Sequence, residues 1–566
     1  MHYISYSHLQ LAFHGSWITV SALALFLLTT CGTANQATKP TSRAALLNGT
    51  YEPAPFDSLD VLTTNDWWTR DGSWITQLDV PRDSVVAFGA YTVANGVLKL
   101  TAQLYPLYPA ESRDVRLEFQ RNGRWETVAT QAINEIGWNT TFRVTDWSGD
   151  ATVPYRLRHG KRAEFTGSIR ALPAPGAEIS MAAMSCNSSN DTGDRAHYVR
   201  NINHLDPDIV FFAGDQSYFH REHTAAWLLF GKQFRETFRH RPMIAIPDDH
   251  DIGQGNLWGE GGKVAERIEG DDGGYYYDPD YVRMVERTQT GHLPDPYDPT
   301  PVGQGIGVYY THYPLGGVDL AIIEDRKFKS GPNGKVPQQG PRPDHIRNPD
   351  YDPASVDVPG LELLGDRQLS FLEEWGSEPV AEGRIRAVLS QTGFCNAAHI
   401  HGNLDNRLHA DMDSNGWPQS GRNRALEAIR RAGAVHIAGD QHLATVIRHG
   451  IDDFGDGPWA FVVPAVVNNY YSRWWWPADE QAGANPPSRA LPWLGDYRDG
   501  FANPITMYAY ANPDQADNGA GFGFVRFLPG ENRVVFECWP RTVDIPSGTA
   551  EQFVGWPFSV ELTAKR

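Results

Sequence analysis

The chain is poor in positive charge. Its 566 residues carry 49 Lys and Arg against 68 Asp and Glu, a formal net charge of −19. A nucleic-acid-binding surface needs clustered Lys and Arg, so none is expected. The deficit leaves room for a small phosphate-bearing substrate, because bound metal ions reverse the local field. Cysteine is scarce too. Cys31, Cys186, Cys395 and Cys538 are too few for a disulfide scaffold. The apolar run from Trp17 to Leu28 is too short to span a bilayer and has the size of a signal-peptide core. Absent as well are the Gly-x-Ser-x-Gly elbow of serine esterases and the Gly-x-x-x-x-Gly-Lys-Ser/Thr loop of NTPases, so neither chemistry has support. No internal repeat is visible, and the length predicts two to four domains.

The first thirty residues contain no Lys, Arg, Asp or Glu. The run ends in "LLTTCGTANQ", with Leu28 three residues before Cys31, and this resembles a bacterial lipobox. The resemblance implies cleavage before Cys31 and lipid attachment to it. Ordinary secretion, with cleavage after Ala34, is the other reading. Either way the protein is expected to be exported, as a lipoprotein of a bacterial cell envelope or to the periplasm or exterior. If Cys31 carries lipid, an odd number of thiols is left, and one of them invites a function.

Residues 1–30 thus read as a signal peptide and 31–75 as a tether. From 76 to 175 the pattern is that of short alternating strands, among them "GVLKLTAQL", "DVRLEFQRNG", "VPYRLRHG" and "AEFTGSIRAL". Their Gly, Asn and Asp turns predict an all-β sandwich, immunoglobulin- or fibronectin-III-like. "LPAPGAE" at 172 to 178 is the boundary. From 176 to 566 the apolar runs become continuous and helical segments such as "DRQLSFLEEW" and "GRNRALEAIRRAG" lie between them. Continuous apolar strands mean sheets covered on both faces, hence an α/β domain, to which the C-terminal strands belong. The long polar stretches 253–310, 328–360 and 400–424 read as lids and substrate walls. The aromatic segment "NNYYSRWWWPADE", 468 to 480, is either a substrate platform or a packing cluster that pins a loop.

Six of the apolar strands end in polar groups. "EISMAAMS" leads to Cys186, "DIVFFAG" to Asp215 and "PMIAIPD" to Asp249 and His250. "VDLAIIED" leads to Arg326, "IRAVLSQ" to Thr392 and "AVHIAGD" to Asp440 and His442. In open α/β sheets, ligands sit beyond the carboxyl ends of the strands. Each residue alone has an ordinary explanation: Asp215 as a helix cap, Cys186 as a small buried hydrophobe, His442 as a hydrogen-bonded turn residue. Together, Cys, Asp…Tyr, Asp-His and Asp-x-His at successive strand ends have the composition of a metal site. Asp215 and Tyr218, three apart after Gly214, can aim at one point, and a carboxylate with a phenolate suits a hard ion such as Fe(III).

These blocks resemble the alkaline phosphatase D (PhoD-like) family of the metallophosphoesterase (calcineurin-like) superfamily. The match runs in order through "SCN" at 185–187, "GDQSY" at 214–218, "PDDHD" at 247–251, "EDRKF" at 324–328, "LGDRQLSFLEEW" at 364–375, "LSQT" at 389–392 and "GDQH" at 439–442. Asp251 stands where that family usually has Glu. The resemblance implies a sandwich of two mixed β-sheets flanked by helices, following an N-terminal β-sandwich. It implies that Asp215 bridges two or more metal ions, with Cys186 and Tyr218 on the Fe(III)-like ion, and Asp249 serving a divalent ion such as Ca2+. Asp440 and His442 are shared out between the two sites, His442 more naturally with the first. His250 is implied as phosphate contact and proton donor, and Asn187 as a substrate contact. Arg326 is either a substrate contact or one half of a structural ion pair, and Gln391 a supporting residue.

The implied activity is hydrolysis of phosphodiesters, phosphomonoesters or both, by attack of a hydroxide held between the metals. The contrasting reading is a surface lipoprotein that binds carbohydrate or cell wall, its metal site structural or inactive. The intact His250 separates them, since a structural metal site has no need of a proton donor beside it. The expected partner is a phosphate-ester substrate, with membrane contact only through the N-terminal lipid.

Overall fold

The computed structural model describes residues 78–220, 222–379, 383–401, 406–475 and 482–562. The signal-peptide segment, the tether, Cys31 and residues 476–480 of the aromatic segment lie outside them.

Hairpin chemistry builds the first part. Alternating sequences joined by Asn-Gly turns give two antiparallel sheets. One has three strands, Val86–Ala94, Val97–Leu104 and Asn139–Val144; the other has four, Arg124–Ala132, Asp114–Arg121, Val153–His159 and Ala163–Ile169. Val86–Ala94 does not read as a strand by alternation, and the structure shows why. All nine of its residues are buried. One face meets the sandwich, while Phe88 packs edge-on against Trp227 and Phe238, at 5.6 and 5.7 Å, in the domain that follows.

Beyond the linker, two mixed sheets face each other. The first, seven-stranded, centres on the parallel strands Ile179–Asn187, Ile209–Phe212 and Met243–Ala245. The C-terminal strands Gly521–Leu528, Arg533–Pro540 and Phe558–Glu561 extend it antiparallel. The second, eight-stranded, centres on Val318–Ile322, Ile385–Thr392, Val435–Gly439 and Trp459–Val462, all parallel. Between the sheets lies one apolar core, including Met181, Phe211, Leu320, Leu389, Ile437 and Phe461. Apart from the half-buried Ser180, Asp319 and Trp459, the strands of both parallel centres are buried, which is why their sequences run apolar with little alternation.

Helices cover the outer faces. Gly365–Ser377 and Gln419–Ala432 stand where the helical pattern places them. His223–Phe238 and Pro279–Thr290 are additional, the latter inside the stretch expected as a loop. The sequence "HTAAWLLFGKQFRETF" hides its helix because nearly every side is covered: Trp227 and Phe230 stack, and Phe234 meets Phe212. No helix among the described residues is long and apolar enough to cross a membrane.

Candidate metal centre

The parallel strands of both sheets end at the same place. Two glycines allow it. Gly214 has φ +117, and a Cβ there would lie 2.5 Å from the Asp248 Cβ. A Cβ on Gly439 would lie 2.3 Å from Ser185 Oγ and 3.0 Å from the Ala213 Cβ. Only bare backbone lets the three strand ends approach so closely. The residues that follow or cap these strands turn sharply. Cys186, Asp215, Asp440 and His442 have φ of 56, 59, 67 and 53°, in the left-handed region. Such backbone costs about 1–3 kcal/mol per non-glycine residue and concentrates at functional sites.

These turns bring most of the expected residues together. Donor atoms of Cys186, Asp215 and His442 lie within 4.8 Å of one another, as do those of Asp215, Asp248, Asp249 and Asp440, and those of Asp215, Asp249 and His250. Asp215 belongs to all three groups. Tyr218 donates from its hydroxyl to Asp215 Oδ2 at 2.7 Å and lies 2.9 Å from His442 Nε2. His442 is held from behind by Asn468, whose Oδ1 lies 3.3 Å from Nδ1 and whose Nδ2 donates to the His442 carbonyl at 3.1 Å. Such a second partner fixes the ring nitrogen presented to a metal.

Asp251 explains the short acid of "PDDHD". Its Oδ2 accepts the backbone N–H of Asp215 at 2.8 Å and of Asp248 at 3.0 Å, locking two loops with one carboxylate. His250 points its Nδ1 at His220 Nε2, 2.7 Å away, and its ring lies on Tyr218 with centroids 4.0 Å apart. Sequence reasoning passed over His220, although it stands two residues after Tyr218. It also left Asp248 without a role, and missed Asp413.

The side chains of Arg326 and Asn187 are both engaged within the protein. Arg326 is buried, and its guanidinium is committed to carboxylates. Nε donates to Asp248 at 2.6 Å, Nη1 to Asp413 at 2.5 Å, and Nη2 lies 3.1 Å from Asp440. The ion-pair reading of Arg326 is the one the geometry favours. Asn187 spends its amide internally, donating to Gln233 and to the Gln216 carbonyl and accepting from Arg195. Gln391 likewise braces the floor, donating to the Pro247 carbonyl and Tyr309 and accepting from the Asp325 N–H. The described part of the aromatic segment packs: Trp474 is buried and donates to the Trp493 carbonyl, and Trp475 stacks on His399.

The electrostatics ask for cations. Burial, then Asp248, Asp251 and Asp440, push the Asp215 carboxyl well above the ordinary range. Burial, then Asp215, does the same to Asp249, and burial brings Asp440 up to about 6. Burial, then the nearby carboxylates, raises the Cys186 thiol. Both carboxylate oxygens of Asp249 are buried without a hydrogen-bond partner, the nearest cation being Arg326 Nη2 at 3.9 Å. Unpaired buried carboxylate is costly unless a metal takes it up. The donors fit two kinds of ion. Thiolate, phenolate and imidazole with Asp215 suit a ferric ion, and the oxygen-only set of Asp215, Asp249 and Asp440 suits a hard divalent one.

No family model and no curated protein sequence matches the chain. Solved structures do. The structure of PhoD superposes with a TM-score of 0.56 at 14% identity, covering 84% of this chain and 89% of that one. Purple acid phosphatase PPD1 from yellow lupin (Lupinus luteus) seeds superposes with a TM-score of 0.52 at 12% identity, covering 85% of this chain and 75% of that one. The chain has the fold of PhoD and of this purple acid phosphatase, the PhoD-like fold that the order of its motifs led one to expect.

Proposed function

We propose that the protein is an exported metal-dependent phosphoesterase acting on phosphodiesters, phosphomonoesters or both. The observation that carries this reading is Asp215, one carboxylate common to a sulfur-and-nitrogen donor group and to an all-oxygen group. Cys186, Tyr218, His442 and Asp215 would hold an Fe(III)-like ion, and Asp215, Asp249 and Asp440 a divalent ion such as Ca2+. Bound there, the ions would supply Lewis acidity that ionises water near neutral pH and neutralises phosphoryl oxygens.

The chain's own residues do the rest. Arg326 keeps Asp248 and Asp440 apart from each other and aimed, compensating their charge without reaching solvent. Asp251 holds the loop backbones that carry Asp215 and Asp249. With Nδ1 engaged by His220, the Nε2 of His250 is the nitrogen left to protonate a leaving oxygen. Export rests on the apolar run Trp17 to Leu28, with Cys31 as lipid attachment point and sole means of membrane contact, and the acidic net charge fits a substrate other than nucleic acid.

The test is hydrolysis of bis-p-nitrophenyl phosphate and p-nitrophenyl phosphate by the metal-replete protein beside Asp215→Asn. The variant is expected to keep its circular dichroism and lose activity on the order of 10³-fold, about 4 kcal/mol of transition-state stabilisation. Equal activity in both would sink the site as drawn. No activity in either, across pH and metals, would leave the carbohydrate-binding lipoprotein. Tyr218→Phe gives a separate readout. A ferric–phenolate pair colours the protein, so the variant is expected to lose its visible absorption band, and an unchanged band would remove Tyr218 from the ion.

A further inference from the structure

A second group of donors lies outside the centre just described. Asp344, His345 and Asp411 offer ligand atoms within 4.8 Å of one another, and all three are buried. They come from two of the long loops. His345–Ile346 pairs antiparallel with Ala410–Asp411, and the register sets His345 directly opposite Asp411. Opposed residues of an antiparallel pair share a face, so both side chains leave the ribbon together. The Asp344 carbonyl accepts from the Met412 N–H at 3.0 Å and fixes the third member.

The spacing is that of ligands, not of hydrogen bonds. His345 Nε2 lies 3.5 Å from Asp344 Oδ2 and 3.8 Å from Asp411 Oδ2. An N–H···O bond is shorter, about 2.7–3.2 Å. Donors sitting about 2.1 Å from a shared tetrahedral ion are about 3.4 Å apart. An independent observation comes from Asn256. Its Nδ2 donates to Asp344 Oδ2 at 3.0 Å, which presses the amide against the group. Its Oδ1 is buried there without a hydrogen-bond partner, a carbonyl oxygen with nothing to accept. Charge points the same way. Arg342 forms a two-pronged pair with Asp344, Nε to Oδ1 at 3.0 Å and Nη2 to Oδ2 at 2.9 Å. That guanidinium answers the Asp344 carboxylate, and the group brings two carboxylates together in the interior.

We propose that Asp344, His345, Asp411 and Asn256 form a site for one divalent ion of the Zn2+ or Mn2+ class, which staples the two loops together. An imidazole among the donors favours these over Ca2+ or Mg2+, whose sites are built from oxygen. The loop that carries Asp411 also carries Asp413, the partner of Arg326, so the staple braces one support of the first centre. It shares no residue with that centre and stands whether or not the protein hydrolyses phosphoesters.

The experiment is elemental analysis of the full chain after loading with Zn2+ or Mn2+ and desalting. His345→Ala and Asp411→Asn are each expected to carry one ion per chain fewer than the parent. Asp215→Asn is expected to keep that ion while losing those of the first centre, so failure of either reading is seen separately. Equal metal content in the parent, His345→Ala and Asp411→Asn would overturn the proposal, and a protonated His345 between two carboxylates would replace it. Should the variants not fold, crystals of the parent soaked in MnCl2 decide. An anomalous peak about 2 Å from His345 Nε2 supports the site, and an empty position there overturns it.

Discussion

The N-terminal sandwich and the α/β domain both bend their chains through left-handed residues, and spend them differently. In the sandwich they include Asn95-Gly96 and Asn122-Gly123, each the two-residue turn of a hairpin. Both asparagines are exposed, and a Cβ on either glycine would meet nothing. Asn and Gly accept this backbone at little cost, so the sequence announces the turn and nothing more. In the α/β domain the left-handed residues include Cys186, Asp215, Asp440 and His442, and these four are buried and converge. There the same conformation swings a functional side chain off the end of a rigid strand. One exposed pair and two buried groups show a similar contrast. The sandwich lets pairs such as Arg121–Glu126, 3.8 Å apart, stand in solvent. The α/β domain buries Arg326 among carboxylates and His292 beneath the Met243 carbonyl.

Arg326 puts the contrast to its hardest test. Arg326→Met leaves Asp248, Asp413 and Asp440 buried without their counter-ion, and breaking such a cluster costs about 3–5 kcal/mol. Arg121→Met in the sandwich is expected to change stability little, as exposed pairs do. Urea denaturation of both variants measures the difference, and equal losses would erase the distinction between the two regions.

The next effect is a pH dependence. Burial lowers the His292 pKa to about 3, against the ordinary value of 6.5 in the unfolded chain. Below pH 6.5 the unfolded state therefore takes up a proton that the folded state refuses, and stability falls as pH falls, until the folded form protonates near pH 3. From pH 6 to pH 5 this histidine costs about 1 kcal/mol. His292→Gln, which can still donate to the Met243 carbonyl, is expected to flatten the stability–pH curve by that amount. An unchanged slope would mean that the imidazole is protonated where it lies.

The smallest effect belongs to the hairpins. Asn122→Ala places a Cβ-bearing residue without Asn's tolerance at φ 50°, for about 1 kcal/mol. The proposed phosphoester hydrolysis is expected to stay at the parent level. A loss of activity there would join the sandwich to the chemistry, and no loss of stability would show the turn to be pliable.

Much of this architecture can be read along the chain. The sandwich strands announce themselves by alternation, and the central strands of the α/β sheets by unbroken apolar runs. The helices Gly365–Ser377 and Gln419–Ala432 show their amphipathic period. Where a segment is covered on every side, as Val86–Ala94 is, or on nearly every side, as His223–Phe238 is, the period fades and the element goes unread. The centre is legible in part for the same local reason. A strand is stiff, so a carboxylate, thiol or imidazole at or just past its end must project, and Cys186, Asp215, Asp440 and His442 are of this kind.

What the sequence determined by itself is therefore the set of arms and the groups they hold out. Which groups meet was decided only by tertiary structure. Arg326 pairs with Asp248 and Asp413, 78 and 87 residues away. Asn187 is spent on Arg195, Gln216 and Gln233, His220 reaches His250, and His345 comes to lie opposite Asp411. A local pattern states how a side chain leaves its own strand or turn. The distance between two such side chains depends on how separate sheets and loops pack, and burial then sets the worth of each charge, so neither quantity is written in any short stretch of the chain.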